Sequence, residues 1–244
     1  MSKKKTIAIV SIVALIAVAF VGMTLAYFTD TTAEAENVFT IGKVKITLSE
    51  TPVDEDGKAD GELTVIGTEI DGEPYMGNKY LNLMPGVQVD KDPTVTVLAD
   101  SADCYVRMKV TLDNAKTFYA VYKSKYGATA DMNEAIGSVM DYFVGYEDVE
   151  DLWVVTADGY EYDAENDAIT VTFNYAEVVE SSDEDTKLYP IITGVKLPEW
   201  ITNDQAALFE DGFSVKIIAE AIQADSFEDA DEAWAAFDAQ AAGN

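Results

Sequence analysis

The chain contains no histidine and a single cysteine. Without histidine it lacks the usual zinc ligand, the usual general base and the usual partner of a serine or cysteine nucleophile. A His-Glu-x-x-His protease site and a Ser-His-Asp hydrolase are excluded together. A lone Cys104 makes no internal disulfide, so stability must come from packing. Basic charge is scarce as well: 16 Lys and Arg stand against 45 Asp and Glu, a formal net charge of −29. A surface of that sign repels phosphate backbones and anionic lipid, which argues against nucleic-acid partners and against peripheral membrane binding. No proline-rich linker and no repeat array divides the chain.

What is present begins at the N-terminus. Lys3, Lys4 and Lys5 precede an uncharged apolar run from Ile7 to Val21. The run relaxes through Gly22, Met23, Thr24 and Leu25 to Ala26, and the chemistry then changes to Tyr27-Phe28-Thr29-Asp30. A basic start, an apolar stretch and a small-residue cut site make a secretory signal peptide over residues 1–26. Thr24 and Ala26 flank the cut and Tyr27 opens the mature chain. The alternative is an uncleaved anchor, since Ile7 to Ala26 is just long enough to span a bilayer. Cleavage removes three lysines and no acid, taking the net charge from −29 to −32, and 244 residues less 26 leave 218. That length suffices for one large β domain with its own core. The expected location is outside the cell, with membrane contact only through the signal segment.

Period-two alternation dominates the mature chain. Val44, Ile46 and Leu48 alternate with polar residues, as do Cys104, Val106, Met108, Val110 and Leu112. Ile169, Val171, Phe173 and Tyr175 repeat the pattern, and so do Phe213, Val215, Ile217 and Ala219. Each run reads as a half-buried strand. Phe39 and Ile41 lie on the opposite parity to Val44 and Ile46, so Gly42 reads as a bulge. Asp158-Gly159 reads as a hairpin turn between Leu152–Thr156 and Tyr160–Tyr162, and Pro85-Gly86 as a turn leading towards Thr94–Leu98. Strands at this spacing predict a mainly β, antiparallel jelly-roll-like β-sandwich. Two helices are expected beside it. Asp131 and Glu134 form a capping box ahead of Ile136, Val139 and Met140. Ser226 and Asp229 start a C-terminal helix over 226–238, with Phe227, Ala230, Trp234 and Phe237 on one face.

The candidate sites are few. Asp54, Asp56, Asp60 and Glu62, with Gly57 and Gly61, have the alternate carboxylates of a calcium loop, but the bidentate Glu of an EF-hand is missing. The reading adopted is a solvated acidic loop, with calcium as the alternative and no other cofactor. Cys104 lies on the inward parity of its strand and reads as a buried, inert thiol. Trp153, Trp200 and Trp234 read as packing residues. The tyrosines at 119, 122 and 126 could form a sugar-binding platform, though nothing in the sequence selects that use. Arg107 lies on the outward parity and reads as a surface ion pair of about 0.5 kcal/mol. No catalytic residues emerge, and no enzymatic activity is expected.

A family resemblance rests on a lysine-rich signal ending Thr24-Leu25-Ala26, on Tyr27-Phe28-Thr29-Asp30-Thr31, and on the stretch from Asn37 to Val44. Leu83-Met84-Pro85-Gly86, Cys104-Tyr105-Val106-Arg107 and Ala219 to Ala224 extend it. The pattern resembles the TasA/camelysin family, secreted proteins of Gram-positive bacteria processed by a SipW-type signal peptidase. The stretch from Thr117 to Asp141 has no counterpart in it. The resemblance implies a jelly-roll domain over 39–244, exported to the biofilm matrix, whose members build fibres. It implies further that residues 27–38 are a donor segment that adds a strand to a neighbouring subunit, with Tyr27, Phe28, Thr29 and Asp30 leading. Partners would then be copies of the same chain or related matrix subunits, together with the signal peptidase during export. A monomeric surface or adhesion module of the same fold is the alternative. The camelysin branch is described as metalloprotease-like, and the absence of histidine argues against that activity here.

Overall fold

A computed structural model describes residues 29–33, 36–37, 44–70, 72–80, 83–127, 131–144, 152–210 and 212–242. The signal segment, the cut-site residues Thr24, Ala26 and Tyr27, the leading Phe28 and the bulge at Gly42 lie outside them. Among the described residues no helix is long and apolar enough to cross a membrane.

The period-two runs form antiparallel strands. Thr29–Ala33 (β1) and Glu36–Asn37 (β2) come first, followed by Ile46–Glu50 (β3), Thr64–Val65 (β4), Glu69–Ile70 (β5) and Glu73–Pro74 (β6). Gln88–Asp90 (β7), Thr94–Val97 (β8) and Cys104–Leu112 (β9) lead into two helices, Ala115–Tyr126 (α1) and Met132–Phe143 (α2). Trp153–Asp163 (β10), Ala168–Tyr175 (β11), Thr186–Lys187 (β12) and Gly194–Lys196 (β13) follow. A single turn at Asn203–Ala206 (α3), the strand Val215–Gln223 (β14) and the helix Ala230–Ala242 (α4) complete the order.

One sheet has six strands in the order β10-β11-β9-β14-β1-β2, and a second has four in the order β12-β8-β3-β4. Two short ribbons, β13-β7 and β5-β6, stand beside them. The fold is therefore mainly β and antiparallel, as the alternation predicts. The inward residues of β9, which are Val106, Met108, Val110 and Leu112, are fully buried. They share one core with Val171 and Phe173 of β11, Ile46 and Leu48 of β3, Val95 of β8, and Ala219 and Ala221 of β14. Helices α1 and α2 close the same core with Phe118, Ile136, Met140 and Phe143. The Phe118 ring meets Phe143 at 4.7 Å, Phe209 at 4.6 Å and Phe213 at 5.0 Å. A second, smaller cluster of Ile222, Ala233, Trp234 and Phe237 holds α4 to the outer face of the six-stranded sheet.

Four expectations are corrected. Asp158-Gly159 does not turn a hairpin, because β10 runs straight through it and the register against β11 slips between Val155 and Tyr160. The site is a bulge. Gly159 is needed there because a Cβ would lie 3.0 Å from the Thr172 carbonyl oxygen. The C-terminal helix spans 230–242 rather than 226–238. Asp229 accepts the Glu232 N–H at 2.9 Å in the capping role, whereas the Ser226 hydroxyl is taken by the Gln223 amide at 2.6 Å. Helix α1 was not expected at all. Its N-cap Asn114 is left-handed and makes no side-chain cap. Instead Asp167, from the β10–β11 turn, accepts Ala115 N–H on its carbonyl at 3.0 Å and Lys116 N–H on its carboxylate at 3.1 Å. Arg107 keeps its outward parity but is buried beneath α4 rather than exposed. The capping role of Asp131 on α2 is as the sequence predicts, its side chain accepting the Glu134 N–H at 3.1 Å.

Candidate functional site

The segment expected to serve as donor forms β1 in its own chain. It pairs antiparallel with β14 through Thr29↔Ile222, Asp30↔Ala221, Thr31↔Glu220 and Thr32↔Ala219. It then turns back on itself, with β2 paired through Thr32↔Asn37 and Ala33↔Glu36. On its far side β14 pairs with β9 along its whole length, from Val215↔Leu112 to Gln223↔Cys104. The β14 residues opposite Asp30 and Thr32 are alanines, both fully buried. Small side chains leave room for a strand to settle beside β14 at the rim of the core.

Arg107 anchors the opposite side of β14. The chain's one arginine hydrogen-bonds through Nε to Glu220 and through both terminal nitrogens to Asp238 of α4. Its guanidinium lies 4.2 Å from the Trp234 ring and 5.1 Å from that of Phe237. Lys109 adds a 3.3 Å contact to Glu220. Burial works against the guanidinium charge, but the two carboxylates outweigh it and raise the pKa above its ordinary value. A planar, permanently charged side chain is suited to this stack, because it can lie flat on a ring while its edge meets two acids. Glu220 thus belongs to two interactions at once: its carboxylate holds Arg107 while its backbone position faces Thr31 of β1.

A second polar network lies under the four-stranded sheet. Lys91 and Glu50 form a buried 2.6 Å ion pair. The second Glu50 oxygen accepts the Asn78 N–H at 3.1 Å, and Asn78 donates to the Thr51 carbonyl at 2.7 Å. Asp92 accepts from the Thr51 backbone and hydroxyl at 2.7 and 2.6 Å. Burial, reinforced by the Glu50 charge, pushes the Tyr75 and Tyr80 phenols up, so both stay neutral. The network fastens 50–92 to the sheet. An open groove with a volume of about 430 Å³ runs beside it, lined by the apolar Val53, Ile70 and Met76 and by Tyr75, Glu73, Asn78 and Lys79.

The acidic loop is not gathered into a cation site. Asp54 turns its carboxylate onto its own backbone, accepting Asp56 N–H and Lys58 N–H at 2.9 Å each. Gly57 has φ +73, and a Cβ there would strike Val89 at 2.5 Å, so its glycine serves the turn. Lys58 reaches away to Asp90 at 3.2 Å, while Asp60 and Glu62 stay exposed. Among the described residues no group of three or more His, Cys, Asp or Glu side chains converges.

Cys104 is fully buried, and burial with the nearby Asp103 charge pushes its thiol up to about 12. A group so held is not a thiolate at neutral pH. Trp153 packs in the core and donates Nε1–H to the Tyr189 carbonyl at 2.8 Å. Tyr122 and Tyr126 of α1 gather with Tyr142 of α2 and Trp200 into one aromatic group, with Tyr126 and Tyr142 partly exposed. Tyr119 lies beneath Lys123, 5.6 Å from its ammonium. Sequence spacing could relate the α1 tyrosines to one another. It carried no signal that Tyr142 and Trp200 would join them.

No protein-family model, no curated protein and no solved structure matches this chain.

Proposed function

We propose that the chain is a secreted structural protein of the extracellular biofilm matrix, of the TasA/camelysin type, that assembles into fibres by exchange of its N-terminal strand. The observation that carries this reading is the seat of β1 on β14. A strand that adds to a sheet edge through main-chain hydrogen bonds can enter the same seat on another copy. Exchange of this kind is heterologous and leaves a free strand at one end and a vacant seat at the other, so it propagates as a filament. The finer architecture that accompanies this reading is a jelly-roll-like sandwich. Signal-peptide cleavage before Tyr27 frees the segment 27–38 to move. In the folded monomer β1 competes for its own seat at an effective concentration on the order of millimolar. Exchange therefore becomes favourable as the chain's own concentration approaches that value, which the purified protein can reach.

The alternative is a monomeric surface or adhesion module that keeps β1 for itself. The in-chain pairing of β1 and its return through β2 favour that reading. The two differ in one experiment: electron microscopy of a purified chain beginning at Tyr27 and another beginning at Val38, each with and without calcium. Fibre assembly by strand exchange predicts filaments from the first and none from the second. No filaments from either supports the monomeric module, and filaments from both remove strand exchange as the mechanism.

A further inference from the structure

The surface charge is unevenly distributed. Helix α1 carries Lys116, Lys123 and Lys125 and no acid in its twelve residues. Lys116 is committed to Asp167 at 3.6 Å. Lys123 and Lys125 have no carboxylate within ion-pair distance among the described residues. Instead they lie over rings, Lys123 at 5.6 Å from Tyr119 and Lys125 at 5.5 Å from Trp200. Beside them stand the half-exposed Tyr126 and Tyr142 rings, 4.9 Å apart. This basic, aromatic corner is set on a chain with a formal charge of −29.

The converse surface is the approach to α4. Residues 225–232 hold Asp225, Glu228, Asp229, Asp231 and Glu232, all exposed, with no base among them. Ala235 and Ala239 continue that exposed side along α4. Helix α1 packs into the main core, on the inner face of the six-stranded sheet, whereas α4 packs through Ile222, Trp234 and Phe237 on the outer face. The corner and the acidic turn therefore lie on opposite sides of one sheet, and one copy cannot bring its own two surfaces together.

We infer that the basic aromatic corner of α1 is a docking surface for a second copy of this chain, which presents its acidic 225–232 turn and the exposed alanines of α4. Two copies of this acidity repel at long range, so a stable contact must place cations where the acids meet. Lys123 and Lys125 supply them beside rings that can cover the alanines. Because the two surfaces differ, the contact is head-to-tail and leaves both ends open to further copies. It is independent of β1 exchange. Within a fibre it would join neighbouring filaments, and without fibres it would make salt-sensitive chains of monomers.

The test uses the chain from Tyr27 in two charge-reversed forms, K123E/K125E and D225K/D231K. All four residues are exposed, and Asp229, which caps α4, is left intact. Sedimentation equilibrium at 150 mM and 500 mM salt reads self-association, and circular dichroism checks that each form folds. The native chain should associate at least about threefold more tightly at the lower salt: a Debye length of about 8 Å there screens the long-range repulsion between two acidic copies but spares contact-distance pairs, which the higher salt weakens as well. Each reversed form alone should lose that association. An equimolar mixture should regain it, because the lysines placed at 225 and 231 then face the glutamates placed at 123 and 125, and the unaltered surfaces face each other. A native chain that stays monomeric at 150 mM salt, a reversed form that associates like the native chain, or a mixture that gains nothing would each overturn the proposal. Filaments that persist in the reversed forms but no longer bundle would support both this contact and strand exchange. Salt-sensitive association without any filament would leave this contact standing and remove the fibre reading.

Discussion

Strand β14 has two neighbours, and they are unlike. Towards β9 all nine of its residues pair, the inward side chains of β9 are buried, and Arg107 ties the outer face to α4 through Glu220 and Asp238. Towards β1 four residues pair, and the inward β14 side chains at that seam are Ala219 and Ala221. The same strand is thus held permanently on one side and provisionally on the other. A seam of four paired residues opens more readily than one of nine backed by a large apolar core and a buried charge. That asymmetry is what strand exchange requires.

The comparison can be broken most severely at Arg107. Replacing it with leucine leaves Glu220 buried with only Lys109 near it, and should cost about 3–5 kcal/mol, the cost of orphaning one partner of a buried pair. Urea denaturation of the chain from Tyr27 would measure it, and Trp234 emission should shift as α4 loosens. A loss below 1 kcal/mol would show that the permanent side does not depend on the charge. Overpacking the provisional side is the next test. Ala221→Leu should cost about 1–3 kcal/mol and be relieved by releasing β1 rather than β9. Limited proteolysis should then cut the N-terminal segment while the remainder resists, and general sensitivity would contradict the asymmetry. Hydrogen exchange sharpens the comparison without mutation. The β14 amides aimed at β1 should exchange roughly tenfold or more faster than those aimed at β9, because the first need only local opening. Equal rates would mean that the two seams open together.

The smallest effect is a control far from β14. Backbone donation from Ala59, aided by Lys58, holds the Asp90 carboxyl below its ordinary pKa against a small opposing effect of burial. A folded-state value below the unfolded one means stability that is present above the unfolded pKa of about 4 and lost as pH falls through the folded value. The side chain is partly exposed, so screening keeps the contribution small. Asp90→Asn should flatten part of the decline in melting temperature below about pH 4, by the same amount whether or not β1 is present.

Legibility in the sequence followed distance along the chain. Strand β9 runs from Cys104 to Leu112, as the alternation indicates, because its period is local and one face meets the core. The cap on α2 lies within three residues of what it caps, so it too could be read. Helix α1 could not, since Asn114 at its start is left-handed and its side chain makes no cap, and the acceptor that meets its first N–H groups is the distant Asp167. Asp158-Gly159 misled for the converse reason: the local signal for a turn is strong, and the β11 backbone overrules it. Arg107 showed its face but not its cover, because Trp234 and Phe237 arrive from the far end of the chain. The resemblance implies a donor segment over residues 27–38, and says nothing of a seat in the same chain. That seat, set by the alanines at 219 and 221, was visible only in the register.

The distant cap on α1 bears on the order in which the protein acquires its shape. Ala115 and Lys116 cannot find their hydrogen-bond acceptors until Asp167 arrives, 51 residues later for the Lys116 contact. A helix of twelve residues without its own cap is marginal in water. It must therefore wait for the β10–β11 turn to close, so α1 belongs to the late part of folding, after a non-local contact has formed. An isolated peptide covering 113–127 should be largely unstructured by circular dichroism. Until the β10–β11 turn has closed, the chain carries this basic stretch without its helix.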